Sequence, residues 1–165
     1  MWQRMLQGGE TASHEIVELI LPYMTSNTSS SGTAKGDRGT GNSAPAYMAF
    51  DNNESTRWAS NTGAGSWLEY QFKEPKTVTK FYIKAGYSSN SSGVKNFKIQ
   101  GSNDETNWVD LTDEITLPNT SGGAGYSGEL KIQNYYNYYR FYATTNSYFS
   151  GGKWIAVSIL KLYGF

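Results

Sequence analysis

The chain has 165 residues, with 14 basic and 14 acidic side chains, one histidine and no cysteine. Zero net charge without a basic run excludes an electrostatic footprint for nucleic acid, and no apolar stretch reaches the roughly 18 residues that span a bilayer. The missing cysteines remove thiol catalysis, disulfides and thiolate metal sites, a single His14 leaves no histidine cluster, and 13 Tyr, 7 Phe and 5 Trp supply enough burial for one folded domain.

Residues 1–15 carry Gly8-Gly9 and no periodicity, and read as an N-terminal tail or linker to a domain spanning 16–165. They also lack the apolar centre and small-residue cleavage site of a secretory signal, and His14 within them reads as a solvated residue rather than a catalyst. Ile16 to Leu21 is a short β-branched apolar run closed by Pro22, which predicts a first strand; Thr25 to about Ser43 is a turn-forming surface segment. Ala44 to Phe50 predicts one or two helical turns.

From there the period is two rather than 3.6. Trp67–Phe72 and Phe97–Gln100 alternate, and Val78–Lys84 is β-branched and aromatic. Trp108–Leu111, Gly128–Ile132, Tyr138–Tyr142 and Ile155–Tyr163 complete a set of about eight strands joined by Gly-, Ser- and Asn-rich loops. The absence of βα alternation predicts an all-β fold, an antiparallel β-sandwich. In the run Tyr135-Tyr136-Asn137-Tyr138-Tyr139, alternation sends half of the side chains outward. Trp58 and Trp108 are assigned to the core, and Arg140, between strand aromatics, to a structural pairing. The adjacent pairs Asp104/Glu105 and Asp113/Glu114 point apart on strands and read as surface charge rather than as glycosidase carboxylates.

Ala49 to Ser60 places Asp51, Asn53 and Thr56 at intervals of two and three residues after a short helix. Hard oxygen donors at that spacing either wrap one cation such as Ca²⁺ or bond the turn's own amides.

The same segment resembles the signature A-(I/F)-D-G-(N/D)-x-x-T-x-W of the discoidin or coagulation-factor-V/VIII type C domains, which include the family 32 carbohydrate-binding modules. Trp67–Phe72 is similar to that family's W-I-x-(I/V)-D-L strand, Phe97–Trp108 to its F-x-I-x-x-S-x-D-G-x-x-W, Tyr139-Arg140-Phe141 to its Y-(V/I)-R-(I/F), and Leu162-Tyr163-Gly164 to its closing (V/L)-x-G. The matches run from about residue 21 to 165 in order. The resemblance implies a β-sandwich jelly roll of the galactose-binding type with its termini close together. It also implies a structural Ca²⁺ held by the carbonyls of Met48, Asn53 and Ser158, the Asp51 side chain and Thr56. One position departs: Ile159 stands where the family's last strand commonly supplies a glutamate ligand.

By the same resemblance, ligand is held on three loops, 61–66, 87–96 and 146–153, whose candidate contacts are Asn61, Tyr87, Asn90, Tyr148, Phe149 and Lys153. Aromatic faces meet sugar C–H groups and planar amides meet hydroxyls. No histidine lies in the first loop and no arginine in the second, so the galactose pattern is not supported and the sugar stays open. The expected function is a non-catalytic carbohydrate-binding module that attaches a larger protein or particle to cell-surface glycan, working outside the cell, at a cell surface or on a virion. A structural or protein-contact discoidin module is the alternative. Leu21 to Gly32 is also similar to the opening of discoidin-like domains in phage and prophage tail proteins.

Overall fold

The computed structural model describes residues 17–37, 44–88, 91–149 and 151–165. Residues 1–15, assigned above to a tail, and Asn90 lie outside them. The described residues form twelve strands and one 3₁₀ turn: β1 Glu18–Leu19, β2 Gly32–Gly36, the turn Ala46–Ala49, β3 Trp58–Ser60, β4 Trp67–Ala85, β5 Tyr87–Ser88, β6 Ser91–Ser92, β7 Asn96–Ser102, β8 Val109–Asp110, β9 Ile115–Thr116, β10 Gly125–Glu129, β11 Tyr135–Ala143 and β12 Ile155–Gly164.

All pairing is antiparallel, and β4 organises it. The first half of β4 pairs β2 and β11, and β11 continues through β7 to β8 and β9, forming the back sheet. Its second half pairs β12 and β10, and β12 carries β1 and β3 on its far edge, forming the front sheet. The crossing falls at Lys73-Glu74-Pro75, which are exposed. The two halves of one strand thus belong to two layers, and the core fills the gap between them.

The largest side chains of that core are aromatic. Tyr70 meets Phe50 and Phe72 edge-on at ring distances of 5.6 and 4.8 Å, while Phe97 lies between Phe141 at 5.4 Å and Phe81 at 6.2 Å. Edge-to-face packing of this kind adds to the area buried, because the positive ring edge meets the negative ring face. Trp58 is fully buried, as its sequence position led us to expect, and its indole Nε1 donates to the Asp37 carbonyl at 3.1 Å. Tyr139 closes the end of the sandwich where β4 crosses. Its hydroxyl donates to the Lys76 carbonyl at 2.7 Å and accepts the Val78 amide at 3.1 Å, and burial pushes its pKa up to about 12. Tyr139→Phe takes the acceptor from the buried Val78 amide, so urea unfolding should show a loss of about 1–3 kcal/mol.

The structure corrects several sequence assignments. The first strand shrinks to Glu18–Leu19, and Gly32–Gly36, assigned to a surface segment, is a strand on the back sheet. Gly128–Ile132 shifts to Gly125–Glu129. Strict alternation fails in Tyr135–Tyr139, because Asn137 forms a bulge: its amide donates to Asn103 Oδ1 at 2.9 Å, and Tyr136 and Tyr139 become the buried rings, three residues apart. Trp108 is half-buried on the outside of the back sheet, where the Arg140 guanidinium stacks on it at 3.8 Å.

That outer face carries one further group. Register aligns Lys35, Glu69, Arg140, Gln100 and Asp110 in a row across the back sheet. Glu69 in its middle is 1% exposed, and its Oε1 has no hydrogen-bond partner among the described residues. Desolvation first, and then the nearby Glu105 charge, raise its pKa to about 7 against the pull of Lys35 and Arg140. Glu105 reaches this spot from a turn in which it holds φ at 59°, a left-handed conformation that favours glycine.

Candidate functional site

Four loops are tied together at one end of the sandwich. The loop after β3 is anchored when the Ala64 amide donates to Asn146 Oδ1 at 2.9 Å. Gly63 is required there: its φ is +79°, and a Cβ would lie 2.4 Å from that same oxygen. The loop after β4 folds over Ala156 through three backbone bonds, Gly86 to Ala156, Gly93 to Gly86 and Ala156 to Gly93. Asn119, from a fourth loop, accepts the Ser92 amide at 2.9 Å, and the Tyr148 hydroxyl donates to the Leu117 carbonyl at 2.8 Å. Backbone bonds, side-chain amides and a tyrosine hydroxyl therefore share the fastening, which suits segments too polar to pack by apolar burial.

On this end the candidate residues behave differently from one another. Tyr87 is 41% exposed, and its carbonyl accepts the Arg57 guanidinium at 3.2 Å. Lys153 is exposed and Asn61 half-buried. Tyr148 and Phe149 are half-buried, and the hydroxyl of Tyr148 ties two loops while Lys95 lies 5.6 Å from its ring centre. Asn90 lies outside the described residues. Sequence reasoning passed over Trp154, which is 39% exposed one residue before the Ile155–Ser60 pair, the pair whose partner strand runs on into Asn61. A tryptophan flanked by lysine and a buried run was the available signal. It also passed over Arg57, Asn119 and Asn146.

Charge here has one sign. The loops 61–66, 86–96, 117–124 and 144–154 contain Lys95 and Lys153 and no acidic residue. At the end of β3, the Ser60 hydroxyl donates to Asp37 Oδ2 at 2.7 Å.

The Asp51 turn lies beside the same strands. Asn52 sits at its corner with φ 59°, which asparagine tolerates better than most residues. Thr56 Oγ1 lies 2.6 Å from Asp51 Oδ2, 2.9 Å from the Asn53 carbonyl and 3.4 Å from the Met48 carbonyl. One hydroxyl has one proton, so it can donate to only one of these three oxygens, and Asp51 at 2.6 Å is the best placed. Asp51 Oδ1 accepts the Asn53 amide at 2.9 Å, which fixes the carboxylate's orientation. Ser158 is the unpaired residue of a bulge in β12, between the pairs Val157–Ala85 and Ile159–Lys84. The donor set is all oxygen, with one carboxylate, carbonyls and a hydroxyl, which is the chemistry a hard cation takes.

Residues 25–158 match the family model of the F5/8 type C domain. The chain belongs to that family.

No curated protein matches the chain. Among solved structures, this F5/8 type C domain is similar to the family 32 carbohydrate-binding module of Clostridium perfringens NanJ, solved with galactose. They share 16% identity at a TM-score of 0.63, over 80% of this chain and 93% of that one. It is similar to chitosan-binding module 1 of a chitosanase/glucanase from Paenibacillus sp. IK-5, at 22% identity and TM-score 0.63, covering 81% and 94%. A third, the C. perfringens module CpGH89CBM32-5 in complex with GalNAc-β-1,3-galactose, has 15% identity and TM-score 0.61, covering 79% and 92%. At these identities the likeness is one of fold, a galactose-binding-type sandwich. Among the described residues, the two non-glycine positions with positive φ, Asn52 and Glu105, stand where the family signature has glycine. No helix among the described residues is long and apolar enough to cross a membrane.

Proposed function

We propose that this F5/8 type C domain is a non-catalytic carbohydrate-binding module whose site is the fastened loop end. The observation that carries the reading is the pair of exposed rings, Tyr87 at 41% and Trp154 at 39%, held on loops that the rest of the end pins in place. An aromatic ring fixed by its backbone offers a flat apolar face at small entropic cost, and that is what the C–H face of a pyranose needs. Asn61, Lys153, Tyr148 and Phe149, on loops of the same end, are candidate partners, and Asn90 is one by its place in the sequence. Sugar-bound neighbours of the same fold, among them complexes with galactose and with 4,5-unsaturated mannuronic acid, support the class of ligand. The role that follows is attachment of a larger protein or particle to glycan outside the cell. Native gels cast with soluble polysaccharides test it: the domain should be retarded in at least one of them and leave that polymer's length unchanged. Normal mobility in every gel, or shortened polymer, would contradict the reading.

The same proposal gives the Asp51 turn a structural Ca²⁺. The carbonyls of Met48, Asn53 and Ser158, Asp51 and Thr56 would hold it, with Ile159 contributing nothing. Support comes from the three oxygens competing for one Thr56 proton, a crowding that a cation relieves. Saturating Ca²⁺ at about a hundredfold over Kd should raise Tm by about 5–10 °C. Asp51→Asn should abolish that rise, and an unchanged wild-type Tm with Ca²⁺ against EGTA would count against the ion.

A further inference from the structure

The outer face of the front sheet holds a groove of about 850 Å³, away from the loop end, between the turn residues Asn52 and Glu54 and the edge strand β10. That volume lies within the range of small-ligand sites, about 300–1,000 Å³. Its floor follows from the register of three neighbouring strands. Tyr82 occupies the centre, with Lys161 opposite it on β12 and Ser127 opposite it on β10. Two residues along β4 on either side, on the same face, are Lys80 and Lys84, and Tyr163 lies opposite Lys80. One ring is therefore surrounded by three lysines, with a second tyrosine on the diagonal.

Three ammonium groups on one sheet face repel one another unless anions compensate them. Two are compensated by carboxylates that line the same groove: Glu54 on the turn pairs with Lys84 at 2.9 Å, and Glu129, opposite Lys80 on β10, approaches it at 3.7 Å. The second of these pairs is open to water, with side chains 56% and 75% exposed, so a ligand can exchange for it readily. Lys161 has no carboxylate partner among the described residues, and its ammonium lies over the Tyr23 ring at 5.9 Å. The groove thus presents aromatic floor, hydroxyl and amide rims from Ser127 and Asn52, and one uncompensated cation.

We propose that this groove is a second saccharide contact, for a pyranose that carries an anionic substituent, its ring on Tyr82 and its carboxylate, sulfate or phosphate on Lys161. It is independent of the loop-end reading, since no residue is shared between the two.

Amide NMR shifts of the ¹⁵N-labelled full chain test it, because they report where a ligand sits. The probes are trigalacturonate, its methyl ester, trimannuronate, a chondroitin sulfate tetrasaccharide and inorganic sulfate. At least one anionic oligosaccharide should move the amides of Tyr82, Ser127 and Lys161. A uronate that does so should bind at least tenfold more tightly than its uncharged ester. Lys161→Gln and Tyr82→Ala, both surface changes whose dispersed spectra would confirm folding, should each weaken binding about five- to tenfold. The proposal is overturned by groove amides that stay still with every oligosaccharide, by shifts confined to the loops, or by equal affinity for acid and ester. Shifts that sulfate alone reproduces at the same concentration would equally overturn it, leaving an anion site only.

Discussion

Glu69→Gln should make the protein more stable at pH 8 while leaving it nearly unchanged at pH 5. In the folded chain the Glu69 carboxyl has a pKa of about 7, raised by burial from an ordinary value of 4.5. The folded state therefore holds a proton that the unfolded state has released between those two values. Its stabilising effect is fully present below about pH 4.5 and is lost as pH rises through 7. A gap of that size corresponds to about 3 kcal/mol at most. The glutamine amide of the variant cannot ionise, so the difference in unfolding free energy between variant and wild type should grow by about 2–3 kcal/mol from pH 5 to pH 8. The other shifted carboxylates do not blur this window. Asp104 is held low mainly by the Asn107 amide, Asp110 by Gln100 and Lys98, and Glu114 by Thr144 and Asn96, so all three are already ionised at pH 5. Urea titrations at the two pH values measure the difference, and a difference that stays constant would show that Glu69 is ionised in the folded protein throughout.

Tyr87→Ala combined with Trp154→Ala should cost glycan affinity without costing the fold. Both rings are about 40% exposed, so truncation opens no cavity in the core and Tm should move by no more than about 2 °C. If each ring covers about 50 Å² of sugar, the pair contributes roughly 2 kcal/mol, a loss of about thirtyfold. Tyr148→Ala should behave differently. Its hydroxyl fastens the loop of Leu117, so its removal loosens the platform, lowering both affinity and Tm. Isothermal titration with a retained oligosaccharide, paired with thermal melts, separates the two cases. Unchanged affinity in the double variant would move the site elsewhere.

How far the sequence reaches depends on what each residue is asked to do. Strands such as Phe97–Gln100 were legible because one face is buried and the alternation shows it, and Ile155–Tyr163 because Ile155 to Leu160 is a buried, largely apolar run. Gly32–Gly36 was hidden because Gly-Thr-Ala-Lys-Gly carries little β propensity; it is held by pairing with β4, where a Cβ on Gly32 would lie 2.0 Å from the Gln71 carbonyl. The bulge at Asn137 depends on Asn103, 34 residues away, and no local pattern announces it. The hydrogen bonding of the Asp51 turn was legible, since Met48, Asp51, Asn53 and Thr56 lie within one short stretch. At the loop end the sequence marked three loops that the fold ties together, but it could not rank their aromatics. Whether Tyr148 or Trp154 faces solvent is decided by bonds to Leu117 and pairing with β3, which are contacts between distant segments. Glu69 is the same case, a glutamate on an alternating strand that is buried only because Arg140, Lys35 and Glu105 arrive from three other elements.

The most direct measurement is a printed glycan array probed with the wild-type domain, with and without Ca²⁺, beside the Tyr87→Ala/Trp154→Ala variant. Selective binding to a structurally related set of glycans, lost in the variant while its melting curve is unchanged, is the result expected of a loop-end carbohydrate-binding module. A blank array from demonstrably folded protein, or binding that the variant retains in full, would contradict it.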